Sequence, residues 1–114
     1  MSEIIKTKSL IGFATKAGKI TFGTELTVGT VRKKGKKRVF LMLCASDAAP
    51  NTQKRAYDCG AYYDIPVKTL MLTVAELSAI TGKSHPIAVI GIIDPGFAEA
   101  ISRALETDIS SPND

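Results

Sequence analysis

Two unbroken apolar runs, Val39-Phe40-Leu41-Met42-Leu43-Cys44 and Ile87-Ala88-Val89-Ile90-Gly91-Ile92-Ile93, most constrain what this chain can fold into. Each is of strand length and neither alternates with polar residues, so a strand made from it has to be covered on both faces. The first run is expected at the centre of a sheet, with helices packed above and below.

The stretches between the runs supply those helices. Leu10, Ile11, Ala14 and Ala17 recur at helical spacing, Ser2 can cap a helix from about Glu3 to Ala17, and Gly18 is placed to stop it. Ile20 to Phe22 is long enough only for a brief strand. Ser46-Asp47 offers cap residues before a helix over Pro50 to Tyr62, with Ala56, Cys59 and Tyr63 turned inward. Val67 to Leu72 reads as a strand. Thr73 and Glu76 have capping-box spacing ahead of Leu77 and Ile80, with Gly82 as the stop. Asp94-Pro95 opens a last helix through Leu105. The segment Thr24 to Lys34 is ambiguous: Thr27, Val28, Thr30 and Val31 favour a strand, Gly29 weakens a helix, and propensity alone draws a hairpin around Lys33-Lys34-Gly35-Lys36. If that segment is helical, helices and strands alternate throughout. The expected architecture is then α/β, a three-layer α/β/α sandwich around a small four-stranded mixed sheet.

With 114 residues, 45% of them apolar, the chain can bury one core, and residues 1–105 are expected to form a single domain. Residues 106–114 are acidic and polar and are expected to be a disordered tail. No apolar run reaches the ~18–20 residues of a membrane span, and the N-terminus lacks the order of a signal peptide, which implies a cytoplasmic protein. Cys44 and Cys59 make no disulfide framework, and one histidine makes no zinc site, so neither a metal nor a cofactor is expected.

Charge is unevenly spread. The net charge is +4, but residues 1–38 hold ten Lys/Arg against Glu3 and Glu25. Within that third, Lys16-Ala17-Gly18-Lys19-Ile20-Thr21-Phe22-Gly23-Thr24-Glu25 couples a helix end, a short strand and a second helix start, bringing backbone N–H groups and lysines into one segment. That is a place for an anion, and for a small basic protein the candidate is a nucleic-acid phosphate. Catalysis is not indicated, for no nucleophile is paired with a base. Gly82-Lys83-Ser84 lacks the upstream glycine of a phosphate loop, and Gly18, Gly23 and Gly29 have the wrong spacing for a dinucleotide fingerprint. Asp47 and Asp94 precede helices and are read as caps, and Tyr57, Tyr62 and Tyr63 as packing or surface residues.

Ala17-Gly18-Lys19-Ile20, Gly23-Thr24-Glu25, Ala45-Ser46-Asp47-Ala48-Ala49-Pro50-Asn51-Thr52, Gly82-Lys83 and Ile92-Ile93-Asp94-Pro95-Gly96, in that order, resemble the ribosomal-protein family that binds kink-turn RNA, and in particular its small bacterial YlxQ-type members. The resemblance implies that Thr24 to Lys34 is helical despite its composition. It implies a noncatalytic RNA-binding protein that recognises kinked structured RNA and stabilises its bend, with ribosomal RNA or a ribonucleoprotein as partner. Carried onto this chain, the surface meeting the bend is Lys19, Gly23, Thr24, Glu25, Thr27 and Val28, and the loop covering an extruded nucleotide is Ser84, His85, Pro86 and Ile87. Lys16, Lys19 and Arg32 would line the backbone, joined by Lys33 and Lys37 from a basic connection longer than is usual in the family. Leu26 and Gly29 stand where many kink-turn binders carry an amide or acid and a lysine. That shifts the expectation toward weaker binding with a larger electrostatic share. The competing reading is a protein-interaction or ribosome-assembly factor on the same fold with weak, nonspecific RNA binding.

Overall fold

The structure, a computed structural model, describes residues 2–33 and 38–110, with side chains over 6–33 and 38–106. Helices α1 (Ser2–Lys16), α2 (Thr24–Lys33), α3 (Pro50–Tyr63), α4 (Val74–Thr81) and α5 (Pro95–Ser110) alternate with strands β1 (Ile20–Phe22), β2 (Leu41–Cys44), β3 (Val67–Thr69) and β4 (Val89–Ile92). The strands form one mixed sheet in the order β1-β4-β2-β3. β4 runs antiparallel to both neighbours, Ile20 and Leu41 each facing Ile92, while β2 and β3 are parallel.

The two apolar runs become the two inner strands, every residue of which is buried. Their side chains divide by parity. Leu41, Leu43, Ile90 and Ile92 pack with Ile11 and Ala14 of α1, Leu77 of α4 and Ile101 of α5. Met42, Cys44 and Val89 pack on the other face with Val28 and Val31 of α2 and Ala56 and Cys59 of α3. The result is the α/β/α sandwich that the alternation implied.

Local chemistry explains most element ends. Gly18 is left-handed at φ 72° after α1. Around α4, the Thr73 hydroxyl accepts the Glu76 N–H at 3.1 Å, the Glu76 carboxylate accepts the Thr73 N–H at 3.0 Å, and Gly82 closes the helix at φ 71°. Asp94 accepts the Phe97 N–H at 2.9 Å and so caps α5. Asp47 does not cap the helix that follows it. Its carboxylate accepts the Val74 N–H of α4 at 2.7 Å, and Ala49, whose side chain has no acceptor, opens α3 with no side-chain cap and Pro50 in its first turn. Ser46 likewise donates to the Leu72 carbonyl, so this loop is tied to the start of α4. The strands are shorter than the runs that contain them, and α5 continues past Leu105 to Ser110. Residues 111–114, the end of the expected tail, lie outside the described residues, as do residues 34–37 and with them Lys37.

Candidate nucleic-acid interface

β1, β2 and β3 all point the same way, so the loops after them, together with the loop before β4, meet along one edge of the sheet. In open α/β sheets that edge is the usual place for a ligand. Gly23 turns the chain from β1 into α2 at φ 91°, a conformation glycine adopts freely. Its N–H donates to the Val89 carbonyl at 2.8 Å and its carbonyl accepts the Thr27 N–H at 3.1 Å. The N–H groups of Thr24, Glu25 and Leu26 have no acceptor among the described residues and open outward at the positive end of the helix.

The next turn faces the core. Thr27 is fully buried, its hydroxyl 2.8 Å from that of Thr21, and Val28 is buried among the α2 and α3 side chains. Neither side chain reaches the surface the sequence assigned to it, because both lie on the helix face that covers the sheet. Their contact depends on Gly91 beneath them, where a Cβ would come within 2.8 Å of Thr27 Cγ2 and 2.6 Å of Thr21 Oγ1.

Glu25 is exposed but held. Arg55 of α3 grips its carboxylate with both terminal guanidinium nitrogens, one of them at 2.9 Å. That hydrogen bonding and charge keep the Glu25 carboxyl below its ordinary value and raise Arg55 in turn. Sequence reasoning missed Arg55, and the only signal was that an exposed acid on a helix start needs a partner from elsewhere.

Across from this turn, Ser84, His85 and Pro86 are exposed in the loop before β4. Ile87 is not: it is buried in the core, and its N–H donates to the Ser78 hydroxyl at 2.8 Å. It anchors the loop and leaves His85 and Pro86 as the surface. Lys83 brings loop and helix start together, its ammonium 4.3 Å from the centroid of the Phe22 ring, one residue before Gly23.

The other expected cations are elsewhere. Lys19 precedes β1, and its carbonyl accepts the Ile93 N–H at 2.9 Å, which puts it at the opposite edge, about 13 Å from Gly23 along the strand. Lys16 ends α1 beside it, Arg32 and Lys33 end α2, and Arg38 precedes β2 with its guanidinium 5.4 Å from the Phe40 ring centroid. The expected surface is therefore two surfaces, one at each edge of the sheet. Among the described residues no group of three or more His, Cys, Asp or Glu could hold a metal ion, and no helix is long and apolar enough to cross a membrane.

Comparison with known proteins agrees with this architecture. The profile of the ribosomal protein L7Ae/L30e/S12e/Gadd45 family matches residues 5–102. RNA-binding protein YlxQ of Enterococcus faecium is 40% identical over 101 residues, covering 89% of this chain and 92% of that protein. YlxQ of Bacillus subtilis is 31% identical over 100 residues, 85% of this chain and 92% of its own. A Bacillus halodurans protein of unknown function superposes with a TM-score of 0.80 at 33% identity, covering 89% of this chain and 97% of its own. The Giardia lamblia 15.5kD RNA binding protein shares the fold at a TM-score of 0.75 and 14% identity, covering 96% of this chain and 90% of its own. The chain belongs to the ribosomal protein L7Ae/L30e/S12e/Gadd45 family, among its YlxQ-type members.

Proposed function

We propose that this is a noncatalytic RNA-binding protein of ribosomal-protein type that recognises kinked, structured RNA in the cytoplasm and stabilises its bend, ribosomal RNA being a fitting target. The observation that carries the reading is the first turn of α2, where three unpaired N–H groups sit beside an oriented carboxylate and opposite an exposed loop. The N–H groups suit a phosphate or a base-edge acceptor brought close by the bend. The Glu25 carboxylate, steadied by Arg55, suits a guanine amino or imino donor. His85 and Pro86 suit the face of an unstacked base, which disrupted RNA offers and a regular duplex does not. The names of the YlxQ relatives support RNA as the partner class.

The test is a titration against a kink-turn RNA and against the same RNA with its G·A pairs replaced by Watson–Crick pairs, at two salt concentrations. A preference for the kinked RNA that survives higher salt is expected. Equal, salt-sensitive binding would remove shape recognition. Leu26, an apolar side chain 57% exposed on the same turn, favours the competing reading of a protein-interaction or ribosome-assembly factor. A partner retained after nuclease treatment, lost on Leu26→Asp, with no kink preference, would put that reading first.

A further inference from the structure

We infer that the edge of the sheet opposite Gly23 is a second, separate binding surface for the phosphate backbone of double-stranded RNA, carried by Lys16, Lys19, Arg32, Lys33 and Arg38. The inference shares RNA as the partner class with the reading above, but it does not depend on the kink.

Three observations carry it. First, these five cations come from three separate parts of the chain and end at the same edge of the sheet, Lys16 on the face covered by α1 and Arg32 and Lys33 on the face covered by α2. The β4 end ties them together, since Ile93 donates to the Lys19 carbonyl and the Ile92 carbonyl accepts the Phe40 N–H at 2.8 Å, two residues after Arg38. Second, all five are exposed and none has an ion-pair partner among the described residues. Elsewhere on the molecule Lys8, Lys54, Arg55 and Arg103 are each matched to an acid, and Lys6, Lys68 and Lys83, with no acid partner among the described residues, are scattered singly. Two acids lie at the basic edge: Asp94, whose carboxylate is turned to the Phe97 N–H of α5, and Asp64, exposed between α3 and β3 at its far side. Five cations against two acids leave an excess of positive charge at this edge, which attracts a polyanion and positions it without reading sequence. Third, this edge lacks the features that would read shape: it has neither the open first turn nor the loop that face each other at Gly23. α2 itself connects the two edges over about 15 Å and carries no acid beyond Glu25. An RNA arm leaving the Gly23 edge thus meets no opposing charge along α2 before the cations.

The experiment uses the full chain with Lys19→Ala, Arg32→Ala and Arg38→Ala combined, and a control carrying Lys19→Arg, Arg32→Lys and Arg38→Lys. Both are titrated over a salt series against the kink-turn RNA, its Watson–Crick counterpart and a polyglutamate. The alanine variant is expected to lower the slope of log affinity against log salt by about 2–3 on both RNAs, by the same factor on each, so that any kink preference is unchanged. The control is expected to keep the wild-type slope, because charge and not side-chain packing is at work. If wild type shows no kink preference and the slope still falls, the second surface stands and only the shape reading fails. An unchanged slope, a loss confined to the kinked RNA, or a loss confined to polyglutamate would each overturn the inference.

Discussion

Arg55 and Glu25 are thirty positions apart in the chain, yet their pair defines the chemistry of the α2 start. Because both groups are exposed, the pair contributes orientation more than stability. Arg55→Ala is expected to lower the melting temperature only slightly while the Glu25 carboxyl returns toward its ordinary range in an NMR titration. Discrimination between kinked and Watson–Crick RNA should fall, and intact discrimination would show that Glu25 needs no steadying. Gly91 acts by size. An added methyl meets Thr21 Oγ1, Thr27 Cγ2 and Val39 Cγ1 at 2.6, 2.8 and 3.3 Å, and the threonines are stiff β-branched side chains. Gly91→Ala is expected to destabilise the protein by about 1–3 kcal/mol in urea titration, and a midpoint equal to wild type would mean α2 rides up at no cost.

Among the elements, α2 is the one whose composition argues against its conformation. Gly29 has an ordinary negative φ and open space where a Cβ would go, so only its flexibility counts against the helix. Gly29→Ala is expected to stabilise the protein by about 0.5–1 kcal/mol, readable as a raised urea midpoint. Thr73→Ala removes one half of the capping box of α4 and is expected to cost about 1 kcal/mol. These two helices mark how far the sequence could be read. The α4 capping box involves residues three apart, so it was legible directly. α2 was legible only through family resemblance, because its stability comes from Val28 and Val31 packing with Cys59 and Val89, distant in sequence, beside the Thr27 contact with Thr21. The same cause hid the capping of α4 by Asp47 and the pairing of Glu25 with Arg55. Closeness in sequence also misled in one case: Lys19 and Gly23 are near neighbours in the chain, but a strand between them sends them to opposite edges.

For the whole molecule, stability should form a dome in pH. The Glu76 carboxyl is held below its ordinary value, chiefly by the Thr73 N–H, and Glu25 by Arg55. Their contributions are present above the unfolded value of about 4.3 and are lost as pH falls through the lower folded values. Burial pushes the Cys44 and Cys59 thiols up, so their contribution is complete below the unfolded value of about 8.5 and is lost at higher pH, where unfolded thiols ionise first. Urea midpoints measured from acid to alkaline pH should be flat between about 5 and 8 and fall on both sides, with Cys59→Ala shrinking the alkaline fall. The strand order has a consequence in time. Of the four strands β4 is the last to be synthesised, yet it lies between β1 and β2, and among the described residues β1 pairs with no other strand. A nascent chain that ends before Val89 therefore carries β1 unpaired and β2 paired on one side only, so the sheet closes only once β4 has been made and slots into a gap its predecessors have kept open.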